Sequence, residues 1–102
     1  MKTTLNLDMP RIGYFTEKWN RVNNLNCALS DFEPKRVRIA DLIVTQRSVR
    51  LSGLLTCDPS LRICVVQIGK KLYIRDGHHR TTQARILGKK TIDAWVLKLE
   101  DK

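Results

Sequence analysis

The sequence has few cysteines, no long apolar run and no segment that resembles a signal peptide. Its three cysteines, Cys27, Cys57 and Cys64, form no Cys-x-x-Cys pair, and an odd, unpaired set argues against a disulfide framework or a zinc ribbon. The apolar runs are a few residues long, too short for a membrane-spanning helix. No apolar segment of the signal-peptide type follows Met1. We therefore expect a cytoplasmic protein that does not contact a membrane.

Acidic residues are scarce as well. The 102 residues include 19 lysines and arginines but 10 aspartates and glutamates, which gives a net charge of +9. Such a charge favours anionic partners. The excess is concentrated at residues 68–90, where the basic residues face Asp76 alone, and we expect DNA, RNA or a nucleotide to bind there. The cations expected to contact nucleic acid are Lys70, Lys71, Arg75, Arg85, Lys89 and Lys90.

The length and the pattern of apolar residues predict one domain that contains both strands and helices. Strands are predicted at residues 3–7, 35–39, 62–68 (the central strand), 71–75 and 91–97, with a hairpin turn at Gly69-Lys70. Helices are predicted at residues 17–22, with Thr16 as the cap, at 48–55, and at 78–87, with Gly88 as the stop. The remaining features predicted are a hinge at 31–34, a helical turn at 40–43, a turn at 58–60 and a frayed tail at 98–102.

A glycine turn joins a short strand to the start of a helix in the second half of the chain. Asp76-Gly77 breaks the strand, and the next three residues are His78, His79 and Arg80. The first turn of a helix presents unpaired N–H groups and the positive end of the helix dipole, so it binds anions well. Glycine lets the backbone approach a ligand closely, and arginine can hold a phosphate through two parallel hydrogen bonds. The motif therefore predicts a phosphate site.

The same side chains admit other interpretations. His79 could donate to a second phosphate oxygen or shuttle a proton near neutral pH. Asp76 could orient a histidine, help to hold a Mg²⁺ that accompanies a nucleotide, or simply cap the helix. Asp76, His78 and His79 could also ligate a transition metal, but adjacent histidines point in different directions on a helix, so we assign no metal ligand. A solvated first turn without a ligand is a further alternative.

Several parts of the sequence form a recognisable pattern. They are Asp-Gly-His-His-Arg at 76–80, Ala84 with Leu87-Gly88, Ile-Asp-Ala-Trp-Val at 92–96, and the segment 37–47 with its Gln46-Arg47 pair. Together they resemble the ParB/sulfiredoxin-like superfamily, whose usual pattern is a strand, a Gly-x-x-Arg turn, a helix ending in Leu-Gly and a closing strand. The resemblance implies a compact α+β fold, with a small mixed sheet and helices packed on it, and a ParB-like domain at residues 36–102. It leaves residues 1–35 as an N-terminal extension, for which we expect contact with a protein partner or a second copy.

The resemblance also implies a function, that of a small basic nuclease or NTPase of a phage or mobile element. The residues it implies for phosphate binding are Gly77, His78, His79, Arg80, Gln46 and Arg47. The residues it implies for catalysis are His79, Asp76 and His78, with Mg²⁺ bound together with a nucleoside triphosphate. One departure matters: His78 stands where sulfiredoxins have a catalytic cysteine and partitioning ParB proteins a glutamate. This departure argues against thiol repair and against CTP-clamp chemistry.

Two functions without catalysis stay open. The chain could be a DNA- or RNA-binding adaptor or inhibitor module that acts through its basic surface. It could also be a protein-interaction domain in which the glycine turn has lost its chemistry. Binding to nucleic-acid phosphates through several lysines and arginines would weaken steeply with salt, whereas a single nucleotide pocket would be less sensitive to salt.

Overall fold

A five-stranded mixed sheet forms the centre of the structure, a computed structural model that describes residues 3–25, 27–58 and 60–100. The strands are β1 (Thr4–Asn6), β2 (Glu33–Arg38), β3 (Leu42–Ile43), β4 (Ser48–Arg50), β5 (Ile63–Ile68), β6 (Lys71–Asp76) and β7 (Thr91–Leu99). The helices are α1 (Glu17–Asn23), α2 (Leu51–Thr56) and α3 (His78–Ile86), with 3-10 turns at Leu29–Asp31 and Ile39–Asp41. The prediction of a small α+β domain with a mixed sheet is confirmed.

The strands of the sheet lie in the order β2-β7-β5-β6-β3. The central strand β5 runs parallel to β7 and antiparallel to β6, and a turn at Gly69, with φ 62°, closes the β5–β6 hairpin. At the two edges, β2 is antiparallel to β7 and β3 is parallel to β6. The short strands β1 and β4 pair with each other outside this sheet. The predicted central strand and hairpin are therefore confirmed.

The alternating residues of β5 build a core on each side of the sheet. Ile63 and Val65 are fully buried in one cluster, which also contains Val37, Leu42, Val44, Ile74, Ala94 and Val96. Val66 and Ile68 point the other way, into a cluster with Tyr73 and Val22. Because Val22 lies on α1, that helix covers the second face of the sheet. Each buried aliphatic side chain of this kind contributes roughly 1.5–3 kcal/mol.

The described part of the N-terminal region packs onto the rest of the chain. β1 pairs with β4, and Trp19 Nε1 on α1 donates a hydrogen bond of 2.9 Å to the Thr45 carbonyl. Thr16 caps α1 as predicted, since its Oγ1 accepts from the Trp19 N–H at 3.2 Å. The border between the predicted extension and domain, at residues 35 and 36, falls inside β2.

The predicted helix at residues 48–55 begins later than expected, and the prediction was wrong for its first turn. Residues Ser48–Arg50 form β4, in which the buried Val49 pairs with Leu5 of β1. A β-branched residue beside a partner strand favours extended backbone. The helix α2 then starts at Leu51 and has 6 residues. Its leucines do not pack in the core, since Leu55 is 89% exposed.

Two other local predictions need correction. The predicted hinge at residues 31–34 is a 3-10 turn followed by the start of β2, and Pro34 is accepted there because β2 is an edge strand. The predicted frayed tail is ordered as strand as far as Leu99, because that residue pairs with Ile68 and packs on the second core cluster. Residues 101 and 102 lie outside the described residues, as does Pro59 in the predicted turn at 58–60.

Candidate binding surfaces around helix α3

The glycine of the motif is required by the fold. Gly77 is the N-cap of α3 and has a φ of 109°, in the left-handed region that side chains rarely adopt. A Cβ at this position would also overlap the side chain of Ile63 on β5. The turn therefore needs glycine both for its backbone conformation and for its packing on the sheet.

His78 points inward and is buried, with 4% of its surface exposed. Its Nε2 accepts a hydrogen bond of 3.0 Å from the backbone N–H of Thr45, and Thr45 Oγ1 donates to the carbonyl of Ile74 at 2.7 Å. Burial lowers the pKa of His78 from 6.5 to about 4, with Asp76 opposing the shift more weakly. The ring is therefore neutral at pH 7 and acts there as a hydrogen-bond acceptor.

His79 contacts the N-terminal end of α2. Its Nε2 accepts from the backbone N–H of Arg50 at 3.3 Å. The ring lies so close to Gly53 that a Cβ on this glycine would overlap it. His78 and His79 together fasten the backbone of residues 45–50 to the start of α3 through one hydrogen bond each.

The segment 45–50 carries the two other residues predicted to reach a phosphate. Gln46 is half-buried, and its Nε2 donates to the Ser48 carbonyl at 2.7 Å. Arg47 is exposed, and its backbone N–H donates to the hydroxyl of Tyr14 at 2.8 Å. The structure thus brings the segment beside the motif, with the Gln46 amide engaged in a local hydrogen bond.

The side chain of Arg80 points away from residues 45–50, which the two histidines contact. It is half-buried, and its Nη1 donates to the carbonyl of Arg62 at 3.3 Å. Its Nε is buried and has no hydrogen-bond partner among the residues that the structure describes. Asp76, at the end of β6, is exposed. The predicted phosphate residues therefore share one helix end, but their side chains diverge: both imidazoles are directed at the 45–50 segment and Arg80 at Arg62.

The basic residues that are close in sequence lie at two ends of the sheet. Lys70 and Lys71 stand at the β5–β6 hairpin, whereas Lys89 and Lys90 precede β7 at the opposite end. The six residues of β5 separate these ends by about 20 Å. Arg75 lies between them, with its guanidinium carbon 6.0 Å from the ring centre of Phe32.

Two adjoining grooves beside α3 collect basic residues from distant parts of the chain. The grooves have volumes of about 360 and 570 Å³ and share Lys89 and Lys90. We name their cations the basic band, which consists of Arg36, Arg38, Arg80, Arg85, Lys89 and Lys90. Sequence reasoning missed Arg36 and Arg38, which alternate with Val37 and Ile39 in the segment predicted as a strand. They join the band because β2 pairs with β7.

Both β2 arginines form exposed ion pairs. Arg36 Nε lies 3.2 Å from Asp93 Oδ1 on the neighbouring strand, and Arg38 contacts both carboxylate oxygens of Asp41 at 2.9 and 3.1 Å. The contact to Asp41 raises the pKa of Arg38 through a hydrogen bond and through the charge of the carboxylate. Ion pairs this exposed to solvent are weak, so an anionic ligand can compete with the carboxylates.

A second surface, between α2 and α3, is apolar. We name it the apolar groove; it has a volume of about 390 Å³ and is lined by Leu51, Leu54, Leu55, Gln83, Ile86 and Leu87. Ile86 is 65% exposed and Leu87 64% exposed. The leucines of α2 therefore line this groove and are not part of the core clusters.

The described residues contain no group of three His, Cys, Asp or Glu side chains that could hold a metal ion. Within the same ranges, no helix is long and apolar enough to cross a bilayer. Around α3 the structure thus defines a small basic domain with two open surfaces, one basic and one apolar, and the histidines of its motif accept hydrogen bonds from its own backbone.

The family model of the VapB-like antitoxins matches residues 9–100. The chain therefore belongs to the VapB-like antitoxin family. No curated protein matches the chain.

The family match corrects two predictions. The assignment to the ParB/sulfiredoxin-like superfamily was wrong, and so was the function of nuclease or NTPase that it implied. The physical reason lies in the motif itself. Gly77 adopts a left-handed backbone conformation against Ile63, and His78 and His79 accept hydrogen bonds from backbone N–H groups. A Gly-x-x-Arg turn between a strand and a helix can therefore arise from folding requirements alone.

Proposed function

We propose that the chain is the inhibitory member of a toxin–antitoxin pair and that it acts by binding. The observation that carries this proposal is the match to the VapB-like antitoxins over residues 9–100. Antitoxins of this family typically bind DNA and a VapC toxin. The two surfaces beside α3 suit these two kinds of partner, since one is apolar and the other is basic.

The test of this function is neutralisation. A VapC toxin from the same organism is induced in a host whose growth it arrests, with and without co-expression of the chain. We expect growth to resume with the wild-type chain. A chain carrying Val65→Asp serves as the control, because a charge at this fully buried position prevents folding. Continued arrest in the presence of excess folded chain would contradict the proposal.

A second activity, binding of DNA or RNA, is favoured by the basic band. Its six cations line two grooves that adjoin at Lys89 and Lys90. If about four to six of them contact phosphates, log K should fall with log[salt] with a slope of about −4 to −5 for a DNA duplex and about −3 to −4 for a single strand. Fluorescence anisotropy with a labelled DNA duplex and a single-stranded RNA, at increasing salt, measures this slope.

The chain offers a matched control for this measurement. Lys89→Glu/Lys90→Glu and Lys70→Glu/Lys71→Glu change the net charge equally, and all four lysines are exposed at opposite ends of the sheet. We expect the first variant to bind at least ten times more weakly than the second. Equal losses would mean that net charge alone attracts nucleic acid and that the basic band is not the binding surface.

A further inference from the structure

We propose that the apolar groove between α2 and α3 docks an amphipathic helix of a partner protein that carries acidic residues along one flank. This inference rests on the proposed function, because it identifies the surface and the chemistry by which a toxin is held.

The groove presents apolar side chains from two helices. Leu51, Leu54 and Leu55 recur on α2 at intervals of three and four residues, and Ile86 and Leu87 line the groove from the end of α3, one turn after the polar Gln83. A stripe of this spacing normally faces the core of a protein. Here Leu55, Ile86 and Leu87 are 64–89% exposed. A groove with apolar side chains from both helices fits the apolar face of a third helix.

Contacts between the two helices hold the groove open in a fixed shape. Gln83 Nε2 on α3 donates to the Leu54 carbonyl on α2 at 3.2 Å. One turn earlier on α3, His79 packs against Gly53 and accepts from the Arg50 N–H. A partner helix therefore meets a preformed site, which reduces the entropy lost on binding.

The charges beside the groove favour one kind of partner over the others. Gln83 and Leu87 line the apolar groove and also the adjoining basic groove, which contains Arg80, Lys89 and Lys90. A second copy of the chain would bring its own cations against these. A nucleic acid could pair with the cations but has no aliphatic face for the leucines. A helix with an apolar stripe and glutamates or aspartates on one flank satisfies both sides.

The first test uses peptides and does not depend on any toxin. A labelled helical peptide with leucines at i, i+3, i+4 and i+7 and glutamates along one flank is titrated with the full chain, beside a peptide in which lysines replace the glutamates. We expect the acidic peptide to bind at least ten times more tightly. We also expect Leu55→Asp/Ile86→Asp, which we name the groove variant, to weaken binding of the acidic peptide at least thirty-fold. Leu29→Asp should change this binding less than threefold. Leu29 is the matched control because it is 55% exposed and does not line the groove.

Other outcomes would overturn the proposal. Equal affinity for both peptides, or no loss in the groove variant, removes the acidic helix as the occupant. Binding to anionic vesicles that the groove variant abolishes would assign the groove to a membrane. A dimer in sedimentation that dissociates in the groove variant would assign it to a second copy. Because the two substituted residues are largely exposed, the groove variant is expected to fold, which circular dichroism verifies.

The second test separates this inference from the proposed function. The groove variant and Leu29→Asp replace the wild-type chain in the neutralisation assay. Loss of neutralisation in the groove variant alone supports the docking site. Full neutralisation by both variants overturns the docking site and leaves the antitoxin function standing. Failure of the wild-type chain contradicts the antitoxin function, and the peptide titration then decides the docking site by itself.

Discussion

The two sides of α3 reverse the arrangement expected of a surface helix. Its inner side is mostly polar: His78, Thr81 and Thr82 are buried, and both threonine hydroxyls donate to carbonyls one turn earlier, at 3.0 and 2.7 Å. Its outer side ends in Ile86 and Leu87, which are exposed. An ordinary amphipathic helix buries its apolar stripe and exposes its polar one. The difference teaches that hydrogen bonds and small residues attach α3 to the domain, and that its large apolar residues remain available to a partner.

The strongest way to break the inner attachment is to substitute Gly77. Gly77→Ala combines a left-handed backbone with overlap against Ile63, and we expect a loss of about 3 kcal/mol in the free energy of unfolding. Gly88→Ala is the matched control: its φ is 77°, but nothing lies within 4 Å of the added Cβ, so we expect a loss of about 1 kcal/mol. Urea denaturation of both variants measures the difference. Equal losses would show that packing on Ile63 is unimportant.

Lowering the pH should weaken the attachment of α3 to the domain, because the buried His78 then gains a proton. Its pKa is about 4 in the folded protein against an ordinary 6.5, so the unfolded chain takes up the proton first. The stability contributed by the neutral ring is complete above pH 6.5 and is lost as the pH falls towards 4, by about 3 kcal/mol. The measurement is the free energy of unfolding between pH 7.5 and 4.

A non-titrating variant provides the control for this pH dependence. In His78→Gln, an amide oxygen can accept from the Thr45 N–H in place of Nε2 and does not gain a proton. We expect this variant to be less stable at pH 7 but to lose less stability between pH 6.5 and 4. An unchanged slope would assign the acid sensitivity to other groups.

Substitutions at the contact between α2 and α3 should change the free energy of unfolding by a smaller amount. Glycine to alanine in a helix usually gains about 1 kcal/mol, but Gly53→Ala places its Cβ against the His79 ring. We expect a loss of about 1–2 kcal/mol instead. Truncation of the ring in Gly53→Ala/His79→Ala should restore part of it, and a double-mutant cycle measures this coupling. Additive losses would mean that the two residues do not constrain each other.

The outer side should show almost no effect on stability. Ile86→Ser and Leu87→Ser remove side chains that are about two-thirds exposed, and we expect each to change the free energy of unfolding by less than about 0.5 kcal/mol. Thermal denaturation and urea titration check this. A loss above about 1 kcal/mol would place these residues in the fold itself and weaken the contrast between the two sides of α3.

Local sequence signals predicted much of the fold. The Thr16 cap, the Gly69 hairpin turn and the glycine at the end of α3 each follow from the conformational preference of single residues. The strand predicted at residues 91–97 likewise forms most of β7. These features are set within a few residues of chain, so a local pattern is enough to find them.

The functional surfaces depend on contacts between distant parts of the chain. Arg36 joins the basic band because its strand pairs with β7, 57 residues further on, and Lys70 is excluded from it because β5 lies between. The leucines of α2 form an apolar stripe in the sequence, and only the packing of α2 on α3 shows that they line an outer groove. The motif led to the wrong family because a left-handed turn and backbone N–H groups that need acceptors select the same glycine and histidines.

The edges of the sheet have a consequence for how the free chain behaves. One edge strand, β2, contains Pro34 and the charged Arg36 and Arg38, and the other, β3, has 2 residues. Prolines, charges and short length are the features that prevent strands of different molecules from pairing. The free chain should therefore resist growth into fibrils through its sheet. If it self-associates, it should do so through the side chains of α2 and α3, as small reversible oligomers.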